Sequence, residues 1–95
     1  MIQERGARKK RLSVEPPGLP SVLDRFPNHR DTVSRLGKDD ETFRTLCNDY
    51  QRCKVALQHW TRSEEDGAED RREEYEAVQK ELEAEILRYL EDFER

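Results

Sequence analysis

Ninety-five residues, 11.4 kDa, make at most one small domain. With 42% charged and 33% hydrophobic residues, the chain can bury a narrow apolar stripe but not a thick globular core. Leu, Ile, Val and Phe number only 19, at the edge of the disordered range, yet a net charge of -4 is too small for a wholly disordered chain.

The charge is divided unevenly. Residues 1–38 carry nine Lys/Arg and four Asp/Glu, whereas residues 39–95 carry nine and eighteen. Residues 1–21 hold three of the four prolines (Pro16, Pro17 and Pro20) and two glycines, and read as a disordered basic arm. The remainder, residues 22–95, reads as one helical domain. A short helix is expected at about 28–36, started by Pro27, with Asn28 and Asp31 supplying acceptors for early amides and Gly37 as its stop. Phe26, Val33 and Leu36 share its apolar side.

Beyond Asp40 the apolar residues Phe43, Leu46, Tyr50, Cys53, Leu57 and Trp60 recur at steps of three and four. This a/d pattern predicts a helix at about 40–64, with Asp39 or Asp40 as N-cap. A second stripe, Tyr75, Val78, Leu82, Ile86, Tyr89, Leu90 and Phe93, predicts a helix at about 69–94, with Glu76–Lys80 and Glu91–Arg95 as i,i+4 pairs. Between the stripes, Thr61–Glu74 contains one alanine and no larger apolar side chain, with Gly67 near its middle. A continuous helix would lose two heptads of seam there. A turn near Glu65–Ala68 is therefore expected instead, so that the seams face each other, Phe43 near the end of the last helix and Trp60 near Tyr75. The expected fold is all-α: a short helix, then an antiparallel, coiled-coil-like two-helix hairpin.

The run Phe26-Pro27-Asn28-His29-Arg30, followed by Val33, Leu36, Lys38, Asp40, Phe43, Leu46 and Tyr50, resembles the YdcH-like family of small bacterial proteins. The resemblance covers about residues 23–60, and residues 75–90 match it only in apolar spacing. It implies a short helix followed by a long helical hairpin, a cytoplasmic location, no established activity and no known catalytic residues.

Chemistry is sparse. No apolar run approaches the ~20 residues of a membrane span. The stretch after Arg8–Arg11 holds a glutamate and three prolines where a signal peptide would be apolar, so a cytoplasmic location is expected. Cys47 and Cys53, six apart on one helix, would sit about 120° apart around it and ~9 Å apart along it, beyond disulfide reach. They read as small hydrophobes, although Cys53 occupies a seam position from which it could pair between chains. His29 and His59 read as exposed, and Trp60 as the last seam residue under the turn. Phosphate-loop, dinucleotide, nucleophile-elbow and metal-ligand patterns are all missing. The expectation is a non-enzymatic chain with no cofactor and no metal. Two narrow stripes bury little for a monomer of this size. Association through the seam, with a second copy or another helical protein, is therefore the leading expectation. The alternative is weak nucleic-acid binding by the arm residues Arg5, Arg8, Lys9, Lys10 and Arg11.

Overall fold

The computed structural model describes residues 17–95. Helix starts at Leu19, earlier than expected. Helix α1 (Leu19–Arg25) carries Pro20 in its first turn, where the missing N–H has no partner to lose, and it buries Leu19 and Val22. The expected arm of residues 1–21 thus overreaches at its end. Leu19, only 3% exposed, belongs to the core. Pro20, counted with the arm, is a helix starter, and seven residues are too few to reveal a period. The arm residues Arg5, Arg8, Lys9, Lys10 and Arg11 lie outside the described residues.

A 3-10 turn (Pro27–His29) leads into α2 (Arg30–Asp39). Neither start has a side-chain cap, so Asn28 and Asp31 do not play the part expected of them. Nor does Gly37 stop the helix. It lies within α2 where a Cβ would meet Leu19 Cδ1 at 3.0 Å, so its missing side chain admits α1. The stop is Asp40, which turns extended and at once caps the next helix, its Oδ1 accepting from Phe43 N–H at 2.9 Å. Such a cap contributes about 1 kcal/mol.

Helices α3 (Glu41–Arg62) and α4 (Ala68–Glu94) follow the two apolar stripes. The chain breaks between them at Ser63, and Gly67 takes the left-handed conformation (φ 83°) that glycine adopts without a Cβ penalty. One continuous helix is thereby excluded. Contacts between α3 and α4 pair rising numbers with falling ones. The Phe43 and Tyr89 rings are 5.6 Å apart, Tyr50 Oη donates to Glu83 Oε2 at 2.8 Å, and Cys53 Sγ donates to the Tyr75 carbonyl at 3.3 Å. No strand occurs among the described residues.

The core sits at the end remote from the α3–α4 turn. Leu19, Val22, Phe26, Val33, Leu36, Phe43, Leu46, Cys47, Tyr50, Ile86 and Leu90 form one buried cluster. Helices α1 and α2 close this end over Cys47 and the first turns of α3. On the surface, Glu76 pairs with Arg72 (3.1 Å) rather than Lys80, and Arg95 with Asp92 (3.1 Å) rather than Glu91. These exposed pairs are worth little.

Candidate interaction surface

The thirteen expected seam residues divide into three groups by depth. Phe43, Leu46, Tyr50, Cys53, Ile86 and Leu90 are buried within the chain itself. Leu57, Trp60, Tyr75, Leu82 and Tyr89 are half-buried. Val78 (41% exposed) and Phe93 (47%) are not buried, contrary to expectation. At about 100° per residue, Val78 stands ~80° around α4 from Ile86, on the flank of the seam. Phe93 keeps the seam angle but lies past the last pairing with α3, at the rim of a shallow depression beside Leu36 and Asp40.

Burial declines toward the turn. Val55 is 53% exposed and Leu57 and Trp60 are half-buried, whereas the first two turns of α3 bury Phe43, Leu46 and Cys47. Trp60 borders Gly67 and Asp70 at the turn, and its ring stands edge-on to His59 at 4.7 Å. The depressions at this end, one lined by Val55, Gln58, His59 and Arg62, are open to solvent.

Sequence reasoning missed the polar contacts between helices. Arg25 Nε lies 3.0 Å from Glu83 Oε2, the same oxygen that accepts from Tyr50. The Glu83 hydrogen bond and charge push the Arg25 value up, while burial raises that of Tyr50. His29, expected to be exposed, has a side chain only 25% exposed, with Nδ1 2.7 Å from Glu94 Oε2. Thr32 Oγ1 donates to the same oxygen at 2.7 Å. The contact with His29 and the bond from Thr32 hold the Glu94 carboxyl below the usual glutamate range. These partners lie 33 to 65 residues apart in the chain, so no local spacing announces them.

Cys47 is buried in the core cluster and its backbone carbonyl lies against Gly18, whose N–H donates to Asn48 Oδ1 at 3.1 Å, while Ser21 donates to Gln51 one turn further on. Burial pushes the Cys47 thiol up to about 12. Burial, then the Glu83 charge, raises Cys53 as well. Both cysteines are free. With 4% exposure and its thiol on the Tyr75 carbonyl, Cys53 would have to leave the α3–α4 contact before bridging to another chain. Among the described residues, no group of three or more His, Cys, Asp or Glu side chains is placed to hold a metal ion. No described helix is long and apolar enough to cross a membrane.

The arrangement defines a small all-helical protein with a closed end and an open one, its exposed valines flanking the seam and Phe93 exposed past the last α3–α4 pairing at the closed end. No protein-family model, no curated protein and no solved structure matches the chain.

Proposed function

We propose that this chain is a cytoplasmic, non-enzymatic protein–protein interaction module built on a helical hairpin of α3 and α4. One observation carries the reading: the turn half of the hairpin leaves Val55 and Val78 exposed, while the other half is closed by α1 and α2. The seam itself is spent on the fold, so binding falls to the flanks beside it. The resemblance to the YdcH-like family belongs to the same reading and adds a fold without an activity.

A photo-crosslinking amino acid placed singly at Val55, Val78 and, as control, the exposed Arg35 tests it in the host cell. The expected result is defined protein adducts, identified by mass spectrometry, at Val55 or Val78 and none at Arg35. Equal labelling at all three sites, or none, refutes the module. The nucleic-acid alternative gains nothing from the described residues. Their thirteen Lys/Arg and twenty Asp/Glu give a net charge of -7, which repels phosphate.

A further inference from the structure

Two exposed stripes on this chain match each other in spacing and oppose each other in charge. On α3, Arg52, Val55, His59 and Arg62 are all exposed and fall within an arc of about 80° at ~100° per residue. Residues 50–62 contain no acidic side chain. On α4, Glu74, Val78, Glu81 and Glu85 are all exposed and fall within about 60°. Lys80, the one base between residues 73 and 85, lies ~130° away around that helix. The α3 stripe sets a valine among two arginines and a histidine, and the α4 stripe sets one among three glutamates.

The stripes cannot meet within one molecule. The α3 stripe continues the face on which Asn48 holds Gly18, beginning just beyond the last contact of α1 at Gln51. Val78 stands ~140° around α4 from Glu83, the residue that Arg25 of α1 holds. The two stripes therefore occupy opposite flanks of the hairpin. We infer that the α3 stripe of one copy docks on the α4 stripe of a second copy, a self-contact that specifies the partner left open by the interaction-module reading on which it rests.

The register follows from the spacings. With the helices parallel and Val55 against Val78, Arg52 faces Glu74, His59 faces Glu81 and Arg62 faces Glu85. The antiparallel register would set Arg62 against Arg71 instead. Arg62, Glu81 and Glu85 are in no ion pair among the described residues. Arg52 and Glu74 hold only exposed i,i+3 partners, Asp49 at 3.1 Å and Arg71 at 3.4 Å, which exchange at small cost. Because the two surfaces differ, the contact is head-to-tail and does not close at a dimer unless the rotation between copies forms a ring. Two valines, two exposed charge pairs and a His–Glu contact make it weak and salt-sensitive.

Sedimentation velocity of the full chain over a wide concentration range tests this. At low salt the average mass is expected to climb past the dimer, and to fall on adding salt. Arg62→Glu alone and Glu85→Arg alone each put like charges in every contact and are expected to weaken association roughly tenfold. In an equimolar mixture of these two variants, assemblies in which the variants alternate have opposite charges in every contact, and the mixture is expected to regain the wild-type mass. Circular dichroism checks that both variants stay helical. Loss with Glu85→Arg but not with Arg62→Glu would mean that the basic residues near the N-terminus cover α4, which overturns the inference. So would single variants that assemble like the wild type, or a mixture that stays monomeric. A constant monomer mass for the wild type overturns it too, yet leaves the interaction module standing if Val55 or Val78 still crosslinks to a different protein.

Discussion

Gly18 shows how much can depend on one missing side chain. A Cβ built there would lie 1.9 Å from the Cys47 carbonyl oxygen and 2.8 Å from the Asn48 nitrogen, both backbone atoms that cannot move aside. Gly18→Ala is therefore expected to push the start of α1 off α3, at a cost of about 1–3 kcal/mol. The displacement would uncover Cys47, whose thiol burial has raised to about 12. Denaturant unfolding reads the first effect, and the rate of thiol labelling under native conditions reads the second. Unchanged stability together with a still-protected Cys47 would show that α1 tolerates the methyl group. None of this was legible beforehand. Gly18 follows two prolines and looked like linker, and Cys47 looked like a seam neighbour. Their contact joins positions about thirty residues apart, which only tertiary approach determines.

Elements were legible where their signals are local and repeated. Helices α3 and α4 run for 22 and 27 residues, and their apolar stripes are long enough for a 3.6 period to emerge above chance. Asp40 was readable as a cap because its chemistry acts three residues away. Helix α1 spans two turns and offers no period, and Gly37 was misread because a packing glycine and a stop glycine look alike in sequence. The docking of the α4 end on α2 was likewise hidden, and it carries a pH signature. Thr32 and His29 hold the Glu94 carboxyl below the usual glutamate range. The folded chain therefore keeps this group ionised where the unfolded chain takes up a proton. Its contribution to stability is complete above the ordinary glutamate value and disappears as pH falls through the lowered folded one. The stability difference between wild type and Glu94→Gln, followed by urea unfolding from about pH 6 to about pH 3, is expected to shrink over the acid end. A difference that stays flat would show that the charge on Glu94 does not stabilise the docked end.

At the scale of the whole molecule, the buried cluster and the exposed valines are placed at opposite ends. The buried cluster joins α1, α2, the first turns of α3 and the last turns of α4, while the turn half relies on Cys53, Ala68 and half-buried Leu57, Trp60 and Tyr75. Helices held by few buried contacts open locally at a lower free energy than the core does. Amide hydrogen exchange, measured at concentrations where copies stay apart, is therefore expected to be faster over residues 54–62 and 68–76 than over residues 43–50 and 83–90. Uniform protection along both long helices would instead mean that α3 and α4 open only together, and that the closed end supports the turn through the seam. The gradient bears on the proposed self-contact because an exposed valine on a loosely held helix could adjust to a second copy at little cost to the fold. Raising the protein concentration should then slow exchange selectively over 52–62 and 74–85, the segments that carry the two stripes. Slowing spread evenly over the chain would show that association does not use them.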